Sequence, residues 1–149
     1  MFDSPRYRTW IQVVKTYQRC HHVFSDLLGD LGLTVAQHEL LVAVSRDPGL
    51  TQNTLASRLL VTKSNVTGLI ARMETKGWLK RKSDPDDGRA RRVTLTPSGS
   101  RLVKKSLLIQ EEMVTRMVQH LNDEETEELH RIMSEMDQIL KDYSAEKES

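Results

Sequence analysis

What this chain has little of narrows the field first. It holds one cysteine, Cys20, so no internal disulfide can form and no cysteine cluster can grip a metal. Aromatic residues are scarce, at 5% of the chain, which leaves little bulk for a self-contained core; chains of this kind often bury remaining apolar surface against a partner. No apolar run approaches the roughly 18 residues needed to cross a membrane. The start, MFDSPRYRTW, has no apolar segment followed by a small-residue cleavage site, so a cytoplasmic location is expected. A Gly-rich phosphate loop and a nucleophile elbow are missing too, which argues against a hydrolase or transferase. Neither enzymatic activity nor a cofactor is expected.

Net charge is also nearly absent, at +1, but its distribution is uneven. Residues 58–92 hold ten cations against four anions, a local excess of +6. Residues 110–149 hold twelve acids against four bases, a local excess of −8. A basic middle and an acidic end imply that only the middle meets a polyanion.

Apolar periodicity supplies the architecture. In residues 6–31 the positions Trp10, Val13, Val14, Tyr17, Cys20 or His21, Phe24, Leu27, Leu28 and Leu31 recur at steps of three and four, which predicts a long amphipathic helix. Thr34 and Gln37 form a capping box for a second helix that turns Leu40, Leu41 and Val44 inward, and Asp47-Pro48-Gly49 stops it. Thr51 caps a short helix with Leu55, Ala56 and Leu59 inward. After a tight turn at Leu60-Val61, Thr62 caps the next helix, which buries Val66, Leu69, Ile70 and Met73 and ends at Gly77.

The period then changes. Residues 78–82 and 92–96 read as strands around the turn Asp84-Pro85-Asp86-Asp87-Gly88, which makes a hairpin. Thr96-Pro97 opens a long helix, and Asn122-Asp123 opens a last one with Leu129, Ile132, Met133, Met136, Ile139, Leu140 and Tyr143 on one stripe. The expected fold is mainly α: a winged helix-turn-helix with long N- and C-terminal dimerisation helices and one β-hairpin wing. Its expected divisions are residues 1–33 and 99–149 for dimerisation, with residues 34–98 between them holding the helix-turn-helix and its hairpin.

The informative unit is the short helix, the tight turn, the second helix and the basic hairpin. A turn this short holds the second helix across the first, so it can project into a major groove about 12 Å wide. With the apolar side turned in, its outward face holds Lys63, Ser64, Asn65, Thr67, Gly68, Ala71, Arg72 and Thr75 beside the capping Thr62. These side chains are short, polar or basic, and suit close approach to base edges and phosphates. Thr51 and Gln52 open the preceding helix, where backbone N–H groups can hold a phosphate. The hairpin adds Arg89, Arg91 and Arg92; an arginine on a thin arm can enter a narrow minor groove. Asp87 is then read as the partner that aims Arg89.

These stretches, LTQNTLASRLLVTKSNVTGLIARMETKGWLKR and DPDDGRARRVTLTPSGSRL, closely resemble the MarR (multiple antibiotic resistance regulator) family. LTVAQHELL resembles the family's second helix. The resemblance implies a triangular homodimer with intertwined terminal helices, bound to a palindromic operator. It implies residues 62–76 in the major groove and Arg89 in the minor groove, with repression relieved by a ligand or by oxidation. Gly68 departs from the pattern, standing where relatives often carry a larger, frequently basic residue.

Three signals are weighed. Trp10, Tyr17, Phe24 and His38 can line a pocket for a small aromatic or phenolic ligand, or His38 can be a core histidine with its hydrogen bonds met. Cys20 lies among Arg19, His21 and His22, neighbours that favour a reactive thiolate, although the family's peroxide sensors carry their thiol nearer the position of Trp10. A metal held by His21, His22 and His38 with Asp26 or Glu39 is not expected, since adjacent helical side chains point about 100° apart. A winged-helix module that binds protein instead of DNA is the rival reading.

Overall fold

A computed structural model describes residues 3–59, 62–83 and 91–148. In chain order the elements are α1 (Pro5–Gly29), α2 (Val35–Arg46), α3 (Gln52–Arg58), α4 (Lys63–Thr75), β1 (Leu79–Ser83), β2 (Arg91–Leu95), α5 (Pro97–Val118) and α6 (Asp123–Glu148). The chain divides into two compact units, residues 1–110 and 111–149, with the boundary inside α5. No helix among the described residues is long and apolar enough to cross a membrane.

Each helix of the first unit starts where a hydroxyl can serve it. Ser4, Thr34, Thr51 and Thr62 accept from the N–H groups of Tyr7, Gln37, Thr54 and Asn65, satisfying donors that the first turn leaves unpaired. At Thr34 the capping box is complete, with Gln37 Oε1 accepting from the Thr34 N–H at 3.0 Å. The end of α4 is equally defined. Gly77 adopts φ 71°, its N–H donates to Glu74 O, and the Trp78 N–H donates to Met73 O, a Schellman closure that turns the chain straight into β1.

Packing of the first unit centres on Leu28, Leu40, Leu41, Leu55, Val66, Ile70, Met73 and Val93, all closed to solvent. The predicted inward faces of α2 and α4 are therefore the observed ones; on α3 Leu55 and Ala56 are buried as expected, while Leu59 is half-buried at the C-cap. Each such side chain contributes roughly 1.5–3 kcal/mol from leaving water, which fixes α4 on α3 with its other face outward.

The wing strands pair antiparallel, with Leu79 opposite Leu95 and Arg81 opposite Val93. Their bounds lie one residue from the expected 78–82 and 92–96, at Leu79–Ser83 and Arg91–Leu95. A third strip of chain, not foreseen, joins the sheet. Gly49 N donates to Val93 O, Val93 N donates to Leu50 O, and Thr51 bridges Arg92. Strand β2 is thus held along both edges, which ties the wing to the start of α3.

The second unit comprises the end of α5 and all of α6. Asn122 and Glu125 exchange backbone-to-side-chain hydrogen bonds at 2.9 Å each, a capping box for α6. Arg131 bonds Glu128 and Glu135, and Lys141 bonds Asp137, along the polar side.

Candidate nucleic-acid interface

The outward face of α4 follows from its buried one. Val66, Leu69, Ile70 and Met73 are buried, and Lys63, Ser64, Asn65, Thr67, Arg72 and Thr75 are exposed, with Gly68 half-buried between them. Hydrogen bonds qualify what each hydroxyl can offer. Thr67 Oγ1 donates to Lys63 O at 2.8 Å and Thr75 Oγ1 donates to Ala71 O at 3.1 Å. Their protons are committed to the helix, so each presents a methyl group and an oxygen that can still accept. Thr62 Oγ1 is likewise engaged as the cap, 3.1 Å from Ser64 Oγ.

At α3 the cap takes the Thr54 N–H. The N–H groups of Gln52 and Asn53 are then the first-turn donors left to face a ligand. The Gln52 side chain does not join them. Its Nε2 is buried and has no hydrogen-bond partner among the described residues.

The cations of the basic middle sort into two sets. Arg58 pairs with Asp47 at 3.3 Å. Arg81 pairs with Glu74 at 2.5 Å, and the same carboxylate accepts from the Arg81 N–H at 2.8 Å. Lys76 lies 4.4 Å over the Trp78 ring and donates to Gly32 O. These three serve the fold. Arg91 donates to Ser83 Oγ across the hairpin. Lys63, Arg72, Lys80 and Lys82 are exposed, and none of them pairs with a carboxylate among the described residues. The charge count of residues 58–92 took all ten cations alike and Glu74 as one of four anions, yet Glu74 pins β1 against α4.

Asp87 and Arg89 lie outside the described residues, as do Leu60 and Val61 of the expected tight turn.

The residues considered for signal entry separate. Phe24 and His38 meet edge to face, with ring centres 4.9 Å apart. His38 Nδ1 is 2.9 Å from Ser106 Oγ and Nε2 is 3.2 Å from Gln110 Oε1, so α1, α2 and α5 converge on one buried imidazole. Burial holds this histidine below its ordinary pKa; the Gln110 hydrogen bond and the Glu39 carboxylate oppose the shift without cancelling it. Trp10 and Tyr17 stand elsewhere, both exposed, against Tyr7 and His21 respectively. Ser106 and Gln110, not foreseen as partners of His38, lie 68 and 72 residues away in sequence and carry no local signal. Cys20 is half-buried. Among the described residues no group of three His, Cys, Asp or Glu side chains is arranged to hold a metal.

A family model described as the MarR family matches residues 31–90. The transcriptional regulator HosA of Escherichia coli O111:H- is 30% identical over 104 residues, spanning 70% of this chain and 77% of its own length. Two solved structures share the fold. A MarR family transcription regulator superposes with a TM-score of 0.86 at 17% identity, covering 93% of this chain and 91% of its own. A mutant of E. coli MarR, crystallised with operator DNA, superposes at 0.80 with 21% identity, covering 91% and 97%.

Proposed function

The chain belongs to the MarR family of transcription regulators, which are not enzymes, and from there we propose that it is a homodimeric repressor of a palindromic operator. One observation carries this reading: α4 buries every large apolar side chain it has and turns outward a face of short polar residues bounded by Lys63 and Arg72. A surface helix kept this free of bulk suits a groove lined by base edges and phosphates. Lys63, Ser64, Asn65, Thr67, Gly68 and Arg72 meet the major groove, with Thr51, Gln52, Thr62 and Arg91 near the backbone. Lys80 and Lys82 add phosphate contacts that sequence reading did not assign. Arg89, directed by Asp87, enters the minor groove.

Two half-sites on one face of a duplex lie about 34–36 Å apart, and a two-fold dimer matches that spacing. The exposed stripe of α6 supplies apolar surface for it. Release by a small aromatic or phenolic ligand acts as a population shift, favouring a spacing of recognition helices that the operator cannot meet. The Phe24–His38 contact is where such a ligand would compete with the present packing.

The test is a mobility-shift titration on the promoter of the protein's own gene at several salt concentrations. Affinity should fall steeply as salt rises, because each phosphate contact releases a counterion. Arg89→Ala should cost roughly 1–3 kcal/mol of operator affinity with the dimer intact. A flat salt response combined with an unaffected Arg89→Ala variant favours the protein-binding module instead.

A further inference from the structure

The centre of the α4 outward face is a gap. Gly68 has no side chain, and its neighbours one turn away, Ser64, Asn65 and Ala71, are all short. The remaining neighbour is Arg72, four residues on. A Cβ built at Gly68 would lie 3.5 Å from Arg72 Nη1, with no side chain of another described residue beyond its chain neighbours within 4 Å. The guanidinium is therefore laid back along the helix over the glycine. Helical side chains tilt toward the N-terminus and residues four apart stack on one face, so the bare position at Gly68 is the natural seat for it.

The charge of Arg72 is also uncommitted. The nearby carboxylate on α4, Glu74, is taken by Arg81, and Asp47 is taken by Arg58. Arg72 makes no ion pair among the described residues, and its five N–H donors stay available. A planar fork of donors in the middle of a groove-facing surface matches two adjacent acceptors in one plane. On the major-groove edge guanine offers that pair, through O6 and N7.

We propose that Arg72, seated over Gly68, reads a guanine in each half-site, and that Gly68 sets this specificity by leaving the seat empty. The inference rests on the DNA-binding reading above. A methyl group at position 68 meets the guanidinium only in ordinary contact, whereas a longer side chain takes its place.

The experiment is selection of half-sites from a randomised operator library by the full-length protein and by Gly68→Ala, Gly68→Leu, Arg72→Lys and Arg72→Ala. Circular dichroism of each variant confirms folding; the leucine and alanine changes at position 68 improve helix propensity. Wild type and Gly68→Ala should select the same guanine. Gly68→Leu and Arg72→Ala should lose preference at that base by roughly 5- to 150-fold while other positions keep theirs. Arg72→Lys retains the charge without the fork and should lose most of that preference as well. The proposal is overturned if Arg72→Ala weakens binding equally on every sequence, which marks a phosphate contact, or if Gly68→Leu selects as wild type does. If wild type selects no sequence at all, the operator reading fails along with it.

Discussion

Helices α4 and α6 carry apolar stripes of similar make-up and opposite fate. On α4 Val66, Leu69, Ile70 and Met73 are all buried within their own unit. On α6 Leu129, Ile132, Met133, Ile139, Leu140 and Tyr143 are between 41% and 66% exposed, and none of its described residues is buried. Periodicity is therefore a statement about which face wants cover, not about what covers it. The first stripe finds its cover in cis. A row of six large apolar side chains along 26 residues of helix is a surface that a second copy can close.

The contrast can be broken from either side. Charging the open stripe should have the larger effect. Ile132→Asp with Leu140→Asp removes two apolar anchors from each copy. At roughly 1.5 kcal/mol per anchor that weakens a symmetric dimer by on the order of 6 kcal/mol. Sedimentation should then report a monomer that keeps its helical circular dichroism; an unchanged dimer mass moves the seam away from α6. On the closed stripe, Ile70→Ala should cost about 2–5 kcal/mol in urea unfolding. It should leave the association state alone, and a loss below 1 kcal/mol would contradict the packing described for α4.

The smallest effect concerns the polar group inside the closed unit. Because burial lowers the His38 pKa, the unfolded chain takes up this proton first, near the ordinary value of about 6.5. Stability is complete above that pH and declines as pH falls through it, by at most about 1.4 kcal/mol per pH unit. His38→Gln should flatten the slope of unfolding free energy between about pH 5 and 7; an unchanged slope assigns it to other groups.

These elements also mark how far a bare sequence can be read. Helices were legible because hydroxyl caps, closing glycines and three-four apolar steps coincide at Thr34, Thr51, Thr62 and Gly77. The outward face of α4 was legible for the same reason, as the complement of its buried side. The strip at residues 49–51 was not, since Gly49-Leu50-Thr51 is too short to show alternation and its partner, Val93, lies 43 residues on. Nor was the division of labour among the cations. Arg81 looks like Lys80 and Lys82 until the register turns it toward Glu74 while its two neighbours face away. Of the expected pocket residues, Trp10, Tyr17 and Phe24 shared one stripe of the first helix, but only Phe24 meets His38, because the covering of α1 depends on where α2 crosses it.

Three elements of the first unit meet in one close approach. Thr96 N donates to Trp78 O, Thr96 Oγ1 donates to Gly77 O at 2.6 Å and accepts from Gly99 N at 3.0 Å. A methyl group at Gly99 would fall 2.1 Å from the Trp78 carbonyl oxygen. The tail of the recognition helix, both strand roots of the wing and the first turn of α5 are thus riveted at one point without slack. Motion of α4 at this joint therefore carries the wing and the start of α5 with it, and leaves no play between them.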